Sequence, residues 1–261
     1  MNIIVKEDYE QMSKFAADHI ANVVRNKPNC VIGFATGSTP IGTYRELIRI
    51  HREGLDFSNV IAFNLDEYYG ISIDLSKPYS LDQSYMRFMY EELFNHINIK
   101  EENIHIPNGL TKEPEKFCED YEKAIKDAGG IDLQILGIGG DGHWAFNEPG
   151  SALDSRTRLE KLNDQTLEDN YEAFFKEAGF RREDMPQYAI TMGVGTILES
   201  RSVMMLASGA KKADIIKKAL EGPVTTEATA SAIQIYKGEA LVVLDKDAAS
   251  MLSNVASIKG A

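Results

Sequence analysis

At 261 residues the chain is long enough to bury a substantial core, as one large α/β domain or two small ones. Its 43% hydrophobic and 26% charged residues are ordinary for a soluble globular protein, and a formal charge of −12 excludes binding driven by a nucleic-acid phosphate backbone. An anionic metabolite stays compatible with that charge, because a few cations or a helix N-terminus hold one locally.

The N-terminus MNIIVKEDYE has neither a basic n-region nor a long apolar stretch, and no apolar run approaches the roughly 20 residues that span a bilayer. Cys30 and Cys118 stand in no metal or CxxC spacing. A cytoplasmic protein with reduced cysteines and no membrane partner is expected.

Met12, Phe15, Ala16, Ile20 and Val23 recur at helical spacing and predict a first amphipathic helix. Cys30–Phe34 reads as a short apolar strand running into Ala35-Thr36-Gly37-Ser38-Thr39-Pro40. A helix follows with Tyr44, Leu47, Ile48 and His51 on one face. Val60–Asn64 is a second strand ending in Leu65-Asp66-Glu67-Tyr68-Tyr69-Gly70. A polar loop with Pro78 then leads to a helix near Ser84–Phe94. Asn103–Ile106 reads as a short strand, and Pro114–Ala128 as a helix closed by Gly129-Gly130. Leu133–Leu136 opens the glycine-rich stretch IDLQILGIGGDGHWAFNEPGS, residues 131–151. Beyond it, Arg156–Leu162 and Thr166–Gly179 read as a strand and a helix. Ala189–Thr191, Ser202–Ala207 and Ala240–Asp245 are further strands, and helices are expected at Lys211–Leu220 and Asp247–Val255.

Apolar strands alternating with helices predict an α/β fold: an open, mostly parallel sheet with helices on both faces. With no repeat or linker visible, residues 1–261 are expected to form a single domain, with the polar segment 156–182 as a lid. Ligands in such sheets bind at the carboxyl ends of strands, near a topological switch. Four polar clusters fall there: Thr36–Thr39, Asp66-Glu67, Asp141–Glu148 and Gly209–Lys212.

Thr36, Gly37, Ser38 and Thr39 lie between a strand and a helix whose first residue is expected to be Pro40. Small residues there let backbone N–H groups approach an anion; the alternative is an ordinary helix start capped by Ser38 or Thr39. Lys211 and Lys212 fall in a first helical turn, against the dipole, and an anionic ligand would offset that cost. Asp66 or Glu67 could be a general base raised by burial, although a capping or salt-bridged acid is the plainer reading of position alone. Gly137, Gly139 and Gly142 satisfy G-x-G-x-x-G, but Asn147, Pro149 and Gly150 make poor helix material after it, which argues against a dinucleotide. The spacing of Asp141, His143 and Glu148 fits no zinc pattern. An imidazole flanked by two acids in a glycine turn reads instead as an oriented acid/base group.

FATGSTPIGTYREL (34–47), FNLDEYYG (63–70), LGIGGDGHWAFNEP (136–149), SRTR (155–158) and ITMGVGTIL (190–198) resemble the glucosamine-6-phosphate deaminase family, in the same order over nearly the whole chain. GDGHxAFNEP is the most specific part. The related 6-phosphogluconolactonases share GxGxDGH but lack AFNEP. The resemblance implies isomerisation and hydrolytic deamination of glucosamine 6-phosphate. His143 would open the sugar ring, helped by Asp141 and Glu148, and Asp66 would carry a proton between C2 and C1. Thr36–Thr39 and Lys212 would hold the phosphate, with no metal and no cofactor. Another hexosamine phosphate, such as the galactosamine epimer, or a sugar lactone are the alternative substrates, and a catalytically inactive sugar-phosphate binder is the alternative of another class.

Three departures from the family pattern stand out. Trp144 replaces a small aliphatic residue, so the wall beside His143 is expected to differ. The family's phosphate-binding arginine is missing from Asn170–Phe175, with Lys176, Arg181 and Arg182 as nearby substitutes. Ala152 and Glu160 replace a serine and a lysine of the cluster, with Ser151 and Arg158, that binds a phosphorylated activator in some members, so activation is expected to be absent. Members differ in oligomeric state, and a homo-oligomer is compatible with the sequence.

Overall fold

A computed structural model describes residues 1–70, 84–177, 179 and 181–253. The strands are β1 (Asn2–Lys6), β2 (Val31–Phe34), β3 (Ile61–Asn64), β4 (Asp66–Tyr69), β5 (Ile104–His105), β6 (Leu133–Leu136), β7 (Arg158–Lys161), β8 (Tyr188–Thr191), β9 (Ser202–Ala207) and β10 (Glu239–Asp245). Seven of them form one parallel sheet in the order β1-β10-β9-β6-β2-β3-β5. Every residue of β2 and β6 is buried. Successive side chains point to opposite faces, so both faces of the sheet centre are covered, as their continuous apolar runs require.

The cover comes from helices with single apolar stripes. In α1 (Tyr9–Asn26), capped by Asp8 on the Gln11 N–H at 2.8 Å, Met12, Ala16, Ile20 and Val24 are buried. It packs on α2 (Ile41–Arg52), which buries Tyr44, Leu47 and Ile48. Further along come α3 (Tyr85–Glu92), α4 (Pro114–Asp127), α5 (Asp164–Asn170), α6 (Val194–Leu198), α7 (Ala213–Glu221) and α8 (Lys246–Ala249). The chain steps from β2 outward through β3 to β5, then returns to the other side of β2 as β6. The carboxyl ends of β2 and β6 therefore flank a topological switch.

The expected strands and most helices are present, with shifted ends. Pro40 is the N-cap of α2 rather than its first residue, and neither Ser38 nor Thr39 caps it through a side chain. Asp247–Val255 shortens to α8, and 254–261 lie outside the described residues, as does the loop around Pro78. The segment 166–179 divides into α5 and a π-helical turn over Tyr171–Phe175.

A second, antiparallel sheet in the order β4-β8-β7 was not expected. The chain leaves the parallel sheet at Leu65, whose N–H donates to Phe34 O at 3.1 Å while its carbonyl accepts from the Met192 N–H at 2.8 Å. Tyr68, Phe146, Leu162, Leu167, Phe175, Met185 and Ala189 form a small apolar core of their own beneath this sheet.

Candidate active site

Ala35-Thr36-Gly37-Ser38-Thr39 leaves β2 as a loop fixed from outside itself. The Tyr44 hydroxyl donates to Ala35 O at 2.5 Å, and Tyr9 Oη donates to Ser38 O and Thr39 O at 3.2 and 3.1 Å. Tyr9 Oη also accepts the Gly42 N–H at 2.8 Å, satisfying one of the first amides of α2. Gly37 has φ +98°, which favours glycine and turns the loop back over the strand ends. With that amide held by Tyr9, no described residue bonds the hydroxyls of Thr36, Ser38 and Thr39.

The loop after β6 is pinned at several points. Gly139 N–H donates to His143 O at 2.9 Å, Trp144 N–H to Thr229 Oγ1 at 3.1 Å and Phe146 N–H to Thr191 Oγ1 at 3.1 Å. The Asn147 amide donates to Trp144 O and Met192 O, both at 2.8 Å. The His143 ring lies flat on Gly139, where a Cβ would come 2.5–2.7 Å from three ring atoms. Ala145, at φ 51°, is the one non-glycine residue in the left-handed region among the described residues.

His143 Nδ1 lies 2.7 Å from Asp141 Oδ1, off the line of a well-aligned hydrogen bond. Asp141 Oδ1 also accepts the His143 backbone N–H at 3.1 Å. Burial raises the Asp141 carboxyl, but the His143 ring and that N–H outweigh it and hold the group below its ordinary range. Glu148 is buried and accepts from Asn163 N–H at 3.1 Å, from the Asn163 amide and from Thr166 Oγ1 at 3.0 Å. Burial nevertheless pushes it up, and the Asp141 charge adds to that. Atoms of Asp141, His143 and Glu148 lie within 4.8 Å of one another, close enough for their proton affinities to be coupled.

Asp66 opens β4, 5% exposed, and burial first and the adjacent Glu67 second push its carboxyl well up. Among the described residues no donor reaches this carboxylate. Glu67 is the capping acid: it accepts the backbone N–H groups of Tyr68, Tyr85 and Met86 at 2.8, 3.0 and 2.9 Å. On α7's side, Lys212 Nζ donates to Ile138 O at 2.7 Å, and burial lowers its pKa against the pull of Asp141 and Asp169.

A cavity of about 300 Å³ at the switch joins these parts. Thr36–Thr39, Asp66, Gly137–Gly140, His143 and Lys212 all line it. Asp141 and Glu148 are absent from its lining and stand behind His143, while Glu67 faces α3 and Lys211 is exposed. Three further walls had no signal of their own in sequence: Tyr85 from α3, Phe146, stacked on Tyr85 at 5.7 Å, and Thr166, Asp169 and Asn170 from α5. A larger cleft of about 780 Å³ lies at the opposite, amino-terminal ends of β1, β9 and β10, with His19 and Glu239 as its titratable side chains. No constellation of acid, base and anion-binding loop converges there.

Two expectations are corrected. Trp144 is fully buried in the main core, its Nε1 3.4 Å from Met205 Sδ, and forms no wall beside His143. Lys176, Arg181 and Arg182 do not line the cavity: they pair with Glu172, with Glu183 and Asp184, and with Glu168 respectively. Lys212 is the one lysine or arginine lining the cavity among the described residues.

With this open parallel sheet, and an acid–imidazole–acid cluster at its switch, the chain belongs to the family of glucosamine-6-phosphate isomerases and 6-phosphogluconolactonases, whose model matches residues 6–242. Glucosamine-6-phosphate deaminase of Thermoanaerobacter sp. (strain X514) is 46% identical over 253 residues, covering 97% of this chain and 95% of that protein. A solved monomeric glucosamine-6-phosphate deaminase is 40% identical with a TM-score of 0.88, covering 96% of this chain and all of that one. A 6-phosphogluconolactonase from Trypanosoma cruzi shares the fold at 20% identity and a TM-score of 0.72, with 97% of each chain covered.

Proposed function

We infer that the protein is an enzyme of amino-sugar metabolism that isomerises and deaminates glucosamine 6-phosphate. One water is consumed, and fructose 6-phosphate and ammonia are formed. The observation that carries this reading is one cavity faced by an imidazole backed by two carboxylates and, separately, by the buried Asp66. Groups whose surroundings drive their proton affinities apart are suited to distinct acid and base roles.

In this reading His143 takes the proton of the sugar O1 hydroxyl and returns it to the ring oxygen as the C1–O5 bond breaks. Asp141 orients the ring and stabilises its protonated form, with Glu148 beside it. Asp66 removes the C2 proton and delivers it to C1, and a second proton passes from the amino nitrogen to O1, converting the open-chain aldose amine to a ketose imine. Water adds at C2, the C2–N bond breaks, and ammonia leaves. The Thr36–Thr39 loop and Lys212 hold the phosphate. Every step is a proton transfer or an addition of water, so the chemistry calls for no metal or redox cofactor.

The chain works as one domain, with α5 and the turn after it closing as a lid over the bound sugar. It acts as a hydrolase in the cytoplasm, on sugar supplied by N-acetylglucosamine breakdown. The reading is supported by relatives at 46% identity over nearly the full chain. Incubation with glucosamine 6-phosphate, galactosamine 6-phosphate and phosphogluconolactone, followed for ammonia and acid release, tests it. Ammonia from glucosamine 6-phosphate is expected; acid from the lactone with no ammonia from either amino sugar would refute it.

A further inference from the structure

Asp66 and Glu67 are consecutive, each 5% exposed, and only Asp66 lines the cavity. Two neighbouring buried carboxylates resist ionising together, so one proton is shared unless the surroundings favour one anion. The surroundings are unequal. Glu67 receives three backbone N–H groups, two of them from the first turn of α3, whose dipole also favours negative charge. Burial pushes Glu67 up to about 7 against the lowering effect of those donors, whereas Asp66 has no such donor among the described residues.

The other groups packed about Asp66 are uncharged. Tyr68 of β4, Tyr85 of α3 and Tyr121 of α4 all sense its charge, and burial keeps all three phenols protonated. Its register partner in β8 is Thr191. His143 and Lys212 share the cavity lining. Among the described residues, Glu67 is thus the charged group that acts on Asp66 from the elements packed against it.

We propose that Glu67 is a positioning residue for the proton transfer: as the anion held by three backbone N–H groups it places a buried negative charge beside Asp66, and it anchors the end of α3 that carries Tyr85 into the cavity wall. The proposal rests on Asp66 being the base. The charge keeps the proton affinity of Asp66 high enough to abstract from carbon, and the anchor keeps Tyr85 stacked on Phe146.

The test compares Glu67→Gln, which keeps shape and loses charge, with Glu67→Asp, which keeps charge and shortens the reach to α3. In Glu67→Gln the acid limb of the kcat/KM profile is expected to move to lower pH by about one unit, because the neighbouring anion is gone, and kcat to fall more than KM changes. In Glu67→Asp the limb stays while KM rises. Circular dichroism and melting confirm the fold of each. If Glu67→Gln does not fold, a carboxyl 13C NMR titration of the unmodified protein decides, with the Asp66 signal assigned by its loss in Asp66→Asn. Two inflections at Asp66 are expected, the second from Glu67. An unmoved acid limb in folded Glu67→Gln, or a single Asp66 inflection, overturns the proposal. Turnover retained in Asp66→Asn would instead remove the base assignment beneath it.

Discussion

His143 and Trp144 are neighbours in the chain and face opposite environments. The Trp144 amide is held by Thr229, Ala145 turns the backbone through the left-handed region, and the indole drops into the main core. A sequence reading places Trp144 beside His143 correctly in order and wrongly in direction, because the core contacts that hold the indole, Met205 among them, come from residues distant in the chain. Trp144→Ala should cost about 3–5 kcal/mol of stability through the cavity it leaves. Denaturation should show that loss while KM for the sugar phosphate stays near its original value; a shifted KM with unchanged melting would put the indole at the site. Lys212 behaves in the converse way. It is half-buried, lines the cavity and donates to Ile138 O, so in the proposed reading its removal is expected to cost binding. A hydrogen bond to a charged group contributes about 1.5–3 kcal/mol, so Lys212→Met should raise KM about 10- to 100-fold with a smaller change in kcat. The same variant assayed on unphosphorylated glucosamine should show no comparable loss, which separates phosphate contact from general damage.

At the scale of elements, the antiparallel sheet is what the sequence hides. Asp66–Tyr69 reads as the tail of β3, since nothing local says that the chain changes sheets at Leu65; the partners that make it a strand, Tyr188–Thr191, lie more than a hundred residues away. Within the polar segment 156–182 the strand expected at Arg156–Leu162 is present as β7, registered with β8, and the part that lines the cavity is Thr166, Asp169 and Asn170 of α5. That strand also bears on regulation. On β7 the Arg158 guanidinium is met by Glu160 at 2.5 Å, by Asn147 Oδ1 at 2.9 Å and by Ser151 Oγ at 2.9 Å. An acid of the chain itself thus occupies the arginine that a phosphorylated activator would need. N-acetylglucosamine 6-phosphate is therefore expected to leave the rate curve hyperbolic and unshifted. A sigmoidal curve made hyperbolic by that compound would show that the pairing with Glu160 gives way.

For the whole molecule, what was legible followed from strong local patterns: among the described residues, six of the seven strands of the parallel sheet are read from short apolar runs bounded by turn residues, and the edge strand β1 is not. The switch between β2 and β6 was legible only as a rule about such sheets, and it is what gathers clusters more than a hundred residues apart into one cavity. The walls supplied by Tyr85 and Asp169 had no local signature, because lining a cavity is a property of packing. Net charge acts at this scale too. The chain carries −12, and Asp169 joins Asp66 in the cavity lining, with Asp141 close behind, so in the proposed reading a sugar phosphate approaches a repulsive field and is held at short range by the Thr36–Thr39 loop and Lys212. Raising ionic strength from about 0.01 M to 0.15 M shortens the screening length from about 30 Å to about 8 Å. Long-range repulsion is then largely removed, while the half-buried Lys212 contact is screened much less. The kcat/KM for glucosamine 6-phosphate should accordingly rise with added potassium chloride, an electrolyte whose anion resembles phosphate poorly, and level off near physiological strength. A steep fall over the same range would mean that attraction dominates the approach, and that cations beyond Lys212 guide the phosphate in.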